Sequence, residues 1–560
     1  MNDPGRTATA PRPAEPDHGR PYTGSARSLR GRLLTAGAAV LLFAALVLPR
    51  EIGQLGPGAF LRLPVEALAG AVLVLVLPAR AGRWAATAGG ALLAVLTALK
   101  AIDMGFREAL GRPFDPVADW SQLGSGVGFV ADAAGDAAAV AAVVAAVLLV
   151  VALAVLMALS ARRIARVLRA HRRRSARTVA VLAACWVTLA ALGAQLVAPV
   201  PMASRSAASL AVQMARQVPQ SIADQRAFAA RFAADPYRDV PAGQLLGGLH
   251  GKDVLLTFVE SYGRSALEDP QIAPLVTPTL DEGTRRLTAA GYSARSGWLT
   301  SPIAGGGSWM AHATFQSGLR VSDQKQFELL AGSDRLTLSS AFRRAGWETS
   351  AVMPGTTLPW PEGRMYDFDR IHDSTALGYR GHAFTGFHTP DQYTLSAYDR
   401  LEHDRPGRGP LMTEIPLVSS HWPFGPLPHT VDWSQLGDGS VYDKQANAPD
   451  PGPAGYGDPQ TIRTEYGRSI AYSVDSLVSY VQTHGDDNLV LIMLGDHQPA
   501  PAVTGSGASH DVPVTIVARD RKVLDRIAGW GWQPGLRPGP DAPVWPMEDV
   551  RDRFLSAFAR

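Results

Sequence analysis

Five long runs of Ala, Val and Leu in residues 1–200 constrain this chain more than any other feature. They occupy residues 32–47, 61–77, 84–102, 137–159 and 178–197. A helix needs about twenty apolar residues to cross the hydrocarbon core of a bilayer. Each run therefore reads as a transmembrane helix, with 61–77 the shortest. Buried core helices are the alternative, and five of them clustered before one polar domain disfavour it.

Arginine placement orients the spans, because basic residues stay on the cytoplasmic side. The tail carries Arg6, Arg12, Arg20, Arg27, Arg30 and Arg32, and the link after the fourth run carries Arg162, Arg163, Arg166, Arg169, Arg172, Arg173, Arg174 and Arg177. Both are expected inside. The link 103–132 is acidic overall and suits the outer face. Five crossings then leave residues 201–560 outside. The arginine cluster between two spans reads as a topology signal on anionic headgroups rather than a nucleic-acid patch, so nucleic acid is not an expected partner.

Residues 1–30 are rich in Pro, Gly, Arg and Thr and are expected to be a disordered cytoplasmic tail rather than a cleavable signal peptide. Residues 31–200 form the membrane domain. Residues 201–248 read as a linker with helices over 207–217 and 220–234, and residues 249–560 as an outer domain. Cys185, inside the fifth run, is the only cysteine, so no disulfide is expected. A domain of this length buries enough core without one.

In the outer domain, apolar strand-like runs (254–259, 349–353, 411–418, 489–494, 512–518) alternate with helical stretches (278–290, Ser308–Ser317, 337–345, 463–483). The alternation predicts an α/β domain with a largely parallel central sheet. Ligands of such sheets lie beyond the carboxyl ends of the strands. Glu260, His421 and the pair Asp496-His497 all fall there. Taken singly, each has a bland reading: a turn acid, a packed loop histidine, a helix cap. Gly305-Gly306-Gly307-Ser308 opens a helix, where a serine is by itself an ordinary helix start. Together, metal-compatible residues from separate strand ends and a hydroxyl at a glycine-rich helix start predict a metal-assisted nucleophile for phosphoryl or sulfuryl transfer.

The order of these motifs after five spans resembles the sulfatase/alkaline-phosphatase superfamily, in particular its membrane branch of lipoteichoic acid synthases and phosphoglycerol or phosphoethanolamine transferases. Phe258-Val259-Glu260-Ser261 is similar to that family's first metal-ligand strand. Leu494-Gly495-Asp496-His497 is similar to its second, and Val418-Ser419-Ser420-His421-Trp422-Pro423-Phe424 to the segment with a substrate-contacting histidine. The resemblance implies a sulfatase-like α/β domain with one divalent ion (manganese, magnesium or zinc) held by Glu260, Asp496, His497 and the nucleophile. It places the nucleophile at the start of a helix ending about nine residues later in a small-residue-Gly step; Ser317-Gly318 gives Ser308, with Thr300, Ser301 and Thr314 as rivals. His421 and His510 are candidate catalytic histidines. Trp360, Arg364 and His312 are candidate substrate contacts.

Two departures matter. No Cys/Ser-x-Pro-x-Arg motif surrounds Ser308, which argues against a formylglycine sulfatase. Where lipoteichoic acid synthases tend to show His-Gly and then Phe-Trp-Asn-Arg, this chain has Met353-Pro354-Gly355 and Pro359-Trp360-Pro361-Glu362-Gly363-Arg364, so glycerol phosphate as the transferred group is in doubt. The resemblance implies an extracytoplasmic enzyme of the cell membrane that moves a phospho-headgroup from a membrane lipid donor to a cell-envelope glycan or lipid acceptor through a phosphoseryl intermediate. The alternative is a hydrolase of the same superfamily: a phosphodiesterase, phosphatase or sulfuric ester hydrolase.

Overall fold

Each of the five apolar runs lies largely within a helix in the computed structural model of the chain. It describes residues 24–559 except 51, 121, 125–126, 128–134, 198–199, 358, 385–386, 446–457 and 506. The expected disorder of the tail falls, up to residue 23, outside the described residues. Two compact units are present, one of residues 1–49, 54–98 and 144–209, the other of 50–53, 99–143 and 210–560.

The first unit is helical. Its elements are α1 (Gly24–Val47), α2 (Val65–Val76), parts of α3 (Ala79–Leu110) and α4 (Asp136–Ala170), and α5 (Arg172–Ala191). Among the described residues three segments are long and apolar enough to cross a membrane: Leu29–Val47, Ala79–Glu108 and Asp136–Ala170. The expected count was five. Helix α2 has 12 residues, about 18 Å at the usual rise against a hydrocarbon core of about 30 Å. Helix α5 begins with Arg172, Arg173 and Arg174, which dilute its apolar stretch. Arginines near the end of α4 bind the other helices at defined levels. Arg163 donates to the carbonyl of Gly31 at 2.6 Å and to the Thr35 hydroxyl at 2.9 Å. Arg169 donates to the carbonyls of Val74 and Leu77 at 2.7 and 2.6 Å. The beginning of α1, the end of α2 and the end of α4 therefore lie at one level of this unit.

The expected linker pair is one helix, α6 (Ser206–Ala233), which runs through Pro219. A proline removes one hydrogen bond from a helix interior; here the apolar stripe holds, with Leu210 and Phe228 buried.

The second unit is built on a nine-stranded sheet. Its strands are β1 (Asp253–Val259), β2 (Ser293–Thr300), β3 (Glu348–Val352), β4 (Arg370–His372), β5 (Leu411–Leu417), β6 (Leu489–Gly495), β7 (Asp511–Ala518), β8 (Gln533–Pro534) and β9 (Val544–Pro546). The order is β8-β2-β7-β6-β1-β5-β3-β4, with β9 beside β2. Pairing from β6 through β1, β5 and β3 to β4 is parallel, as is β9 with β2. Strands β7, β2 and β8 pair antiparallel. The sheet is thus mixed: the parallel half carries the expected topology, and the other half joins β7, expected as a strand over 512–518, to β2 and the short strands, which the apolar pattern does not announce.

Successive strand residues point to opposite faces, and both faces are buried. Val254, Leu256 and Phe258 enter one core with α8 (Ser308–Ser317). Leu255 and Val259 enter the other, covered by α7 (Ala273–Ala289) and α9 (Pro459–His484). Register is what builds the site. Strands β1 and β6 pair with Val259 opposite Gly495, so the next residues, Glu260 and Asp496, leave the sheet side by side.

Candidate metal and nucleophile site

The chain beyond β1 turns at Ser261, a non-glycine residue with φ 58°. That left-handed conformation is uncommon and strained for a residue with a side chain. Here it aims two groups. The Ser261 amide donates to Asp496 Oδ1 at 2.7 Å, and its hydroxyl donates to Glu260 Oε1 at 2.7 Å. Gly495 admits this turn, since a Cβ there would lie 1.9 Å from the Tyr262 carbonyl oxygen. Asp496 Oδ1 also accepts the His497 amide at 2.7 Å.

His497 Nδ1 faces the Gln498 carbonyl at 2.8 Å. A proton on Nδ1 satisfies that contact and leaves Nε2 with its lone pair toward the cluster, the usual way an outer partner fixes a ligating imidazole. The same carbonyl accepts the Gly305 amide at 2.8 Å, which ties the glycine loop to the histidine. Gly307 then takes φ 90° and caps α8. Ser308 follows as the first helical residue. Its Oγ lies 2.9 Å from Glu260 Oε2 and 3.1 Å from His497 Nε2.

Glu260, Asp496 and His497 are buried, and their ligand atoms all lie within 4.8 Å of one another. His497 Nε2 is 3.5 Å from both Glu260 Oε1 and Asp496 Oδ2. Asp496 Oδ2 is buried without a hydrogen-bond partner among the described residues. A buried carboxylate oxygen left so is costly, and a cation removes that cost. Two carboxylates, one imidazole and a hydroxyl form a donor set that suits manganese, magnesium or zinc. The residues therefore fit one divalent ion. Among the described residues, Asp399, His403 and Asp404 form the other such group, but Tyr480 and His484 already bond the Asp399 carboxylate.

The electrostatics agree. Burial, and then the charge of Glu260, push Asp496 up to about 6. Burial alone would also raise Glu260, but His497, His421 and the Ser261 hydroxyl outweigh it and hold its carboxyl at about 2. Burial opposes the charge on His497, yet the two carboxylates raise it above its ordinary value. The cluster is an acidic pocket in which positive charge is favoured.

The other sequence candidates fall into two groups. His421 is exposed beyond β5, and its charge is felt by Glu260. The carbonyl of half-buried His510 accepts the Ser301 amide at 2.9 Å, and the Ser301 hydroxyl donates to the Asp496 carbonyl at 2.7 Å. Burial lowers the pKa of His510. His421 thus lies within electrostatic reach of the cluster, and His510 is tied to it through its backbone carbonyl. His312 instead lies inside the core, 2.8 Å from Glu414 Oε1 and stacked on Phe258. Trp360 packs on Tyr366 with centroids 5.5 Å apart, and Arg364 is exposed. Among the described residues neither Trp360 nor Arg364 bonds to Glu260, Ser308, Asp496 or His497. The rival hydroxyls are engaged elsewhere: Thr300 with Asp511, Ser301 with the Asp496 carbonyl, Thr314 with the Met310 carbonyl.

Sequence reasoning missed Ser261, Gln498 and Glu414. Only Glu414 left a signal: a lone acid in the apolar run of β5, which needs a buried partner.

No protein-family model matches the sequence, and no curated protein matches it. Solved structures similar to the chain include a protein of the alkaline phosphatase superfamily from Vibrio parahaemolyticus, at 15% identity over 60% of this chain and 75% of that one, with TM-score 0.38. The lipoteichoic acid synthase LtaP from Listeria monocytogenes is similar at 14% identity over 55% and 71%, with TM-score 0.35. The phosphoglycerol transferase GacH from Streptococcus pyogenes, solved with sn-glycerol-1-phosphate, is similar at 12% over 60% and 91%, with TM-score 0.34. Their names are those of the alkaline phosphatase superfamily, the lipoteichoic acid synthases and the phosphoglycerol transferases that the motifs resemble. At these overlaps the functional reading rests on the site's own geometry.

Proposed function

We propose that this protein is a membrane-embedded, metal-dependent phosphotransferase whose nucleophile is Ser308. The observation that carries the reading is the convergence of the Ser308 hydroxyl, at 2.9 and 3.1 Å, on Glu260 and His497 beside the unpartnered Asp496 oxygen. A divalent ion held by Glu260, Asp496, His497 and Ser308 would act as a Lewis acid that lowers the serine pKa and neutralises phosphate charge. The N-terminus of α8 favours an anion at the same place.

In the proposed reaction Ser308 loses its proton to solvent, its Oγ attacks phosphorus of a phosphodiester lipid headgroup, and the bond to the leaving lipid alcohol breaks. His421, exposed beside the cluster, is suited to give that alcohol its proton. A hydroxyl of a cell-envelope acceptor then attacks the phosphoserine and releases Ser308. His510, kept neutral by burial, is suited to accept the entering hydroxyl's proton. Trp360, Arg364 and His312 were expected at the headgroup; their positions give them no direct support there. Water in place of the acceptor makes the same site a hydrolase.

We place residues 201–560 outside the membrane. Arg163 and Arg169 set the end of α4 level with the start of α1 and the end of α2. A chain entering inside at α1 then returns inside through α2 and again through α4, which favours five crossings. With three alone, the arginines after α4 would lie on the outer face, against the positive-inside rule.

The test is peptide mass spectrometry on the full-length chain incubated with Mn2+ and phosphatidylglycerol plus phosphatidylethanolamine vesicles. A phosphodiester adduct on the Ser308 peptide is expected. An unmodified Ser308, together with unaltered turnover of bis(p-nitrophenyl) phosphate by Ser308→Ala, would overturn the reading. Adding a sugar acceptor separates transferase from hydrolase.

A further inference from the structure

The α8 helix meets the sheet through polar groups where apolar ones are the rule. Glu414 sits in the middle of β5 and is fully buried. Its register partner on β1 is Leu256, and Leu256, Phe258 and Glu260 share one face by alternation. Glu414 turns toward that same side. Its Oε1 lies 2.8 Å from His312 Nδ1, and its Oε2 accepts Gln316 Nε2 at 2.6 Å. Ser308, His312 and Gln316 are successive i, i+4 positions, so they form one stripe of the helix. The His312 ring stacks on Phe258 with centroids 3.7 Å apart and planes 14° from parallel. Gln316 Oε1 accepts the Ser339 amide at 2.9 Å, extending the hold to the helix Leu338–Arg344.

A helix resting on apolar side chains can slide or rotate by small amounts at little cost. Directional bonds from one carboxylate to two successive turns remove that freedom. A buried polar pair adds little net stability over well-packed apolar residues, so the worth of this hydrogen-bonded pair lies in register. We propose that Glu414 and His312 are positioning residues that lock the rotation and height of α8 and thereby fix Ser308 Oγ against Glu260 and His497. This rests on the reading of Ser308 and its neighbours as a metal site. It assigns His312 to the support of that site rather than to the substrate.

The test uses the full-length chain in detergent. The double variant His312→Phe/Glu414→Leu exchanges the pair for apolar side chains. In EDTA it should melt within a few degrees of the parent. Its Mn2+ affinity, read by isothermal titration, should fall roughly 10–100-fold, the scale for loss of outer-shell support. Its kcat on bis(p-nitrophenyl) phosphate should fall similarly, with KM little changed. His312→Gln keeps an N–H toward Glu414 and should retain most of the affinity that His312→Ala loses; this comparison decides the matter if the double variant fails to fold. Parent-like Mn2+ affinity in the double variant, or equal losses in His312→Gln and His312→Ala, would overturn the positioning role alone. Failure of the parent chain to take up Mn2+ would overturn the site reading, and this inference with it.

Discussion

Replacing Asp496 with Asn should stabilise the metal-free protein and abolish its response to metal. Asp496 is fully buried, and its Oδ1 accepts the amides of Ser261 and His497 at 2.7 Å each. An asparagine oxygen can take both bonds, so the turn after β1 is kept. Its amide nitrogen then occupies the Oδ2 position, which has no hydrogen-bond partner among the described residues. The carboxyl is pushed from 3.8 to about 6 by burial and by Glu260. A group raised in this way costs stability as pH rises from its unfolded value through its folded one. At pH 7 the full cost is present, on the order of 3 kcal/mol at about 1.4 kcal/mol per unit, and Glu260 shares in it. The neutral amide removes that cost. Mn2+ at a hundredfold excess over its dissociation constant stabilises the parent by about 2.7 kcal/mol, while Asp496→Asn has lost an anionic ligand and gained a donor facing the ion. Thermal melts of the full-length chain in EDTA and in Mn2+ should therefore cross: the variant melts higher in EDTA, the parent gains in Mn2+, and the variant does not move. A variant that melts lower than the parent in EDTA at pH 7, or that gains equally from Mn2+, would refute the reasoning.

Ser308→Ala should fold and bind Mn2+, because Gly307 rather than a serine side chain caps the helix, yet turn over bis(p-nitrophenyl) phosphate roughly 10^4–10^6-fold more slowly, the scale for a lost nucleophile. Thr300→Ala and Ser301→Ala, assayed alongside, should lose less than tenfold; the reverse ranking would move the nucleophile to the preceding loop. Gly307→Ala places a Cβ at φ 90° and 2.7 Å from Met310 Cε, so it should cost about 1–2 kcal/mol and slow turnover at least tenfold by shifting Ser308, read by melting and initial rates. Fusions after Pro241 should give active alkaline phosphatase and a dark cytoplasmic fluorophore; the opposite pattern would reverse the assigned orientation.

The strands that carry the metal candidates were legible because they are short apolar runs ending in an acid, and α8 began and ended where the glycines on either side of it predicted. In the antiparallel half only β7 was legible. Strand β2 reads Ser293-Ala294-Arg295-Ser296-Gly297-Trp298-Leu299-Thr300, and its inner face is completed from outside: a Cβ at Gly297 would lie 2.6 Å from Trp532 Nε1. No local apolar pattern announces a strand finished by a distant tryptophan. Pro278 was read as a helix start but lies inside α7, which begins at Ala273. Buried hydrogen-bond partners were equally hidden. His312 is one turn from Ser308 in sequence, and only the fold reveals that it faces Glu414, a strand residue more than a hundred positions away.

The central claim, one ion shared by Glu260, Ser308, Asp496 and His497, is tested most directly by an anomalous-difference map from crystals of the full-length chain grown with Mn2+. One strong peak is expected within about 2.5 Å of a side-chain oxygen or nitrogen of all four residues, the usual reach of such ligands. A map with no peak there, or with its peak at Asp399, His403 and Asp404 instead, would contradict it.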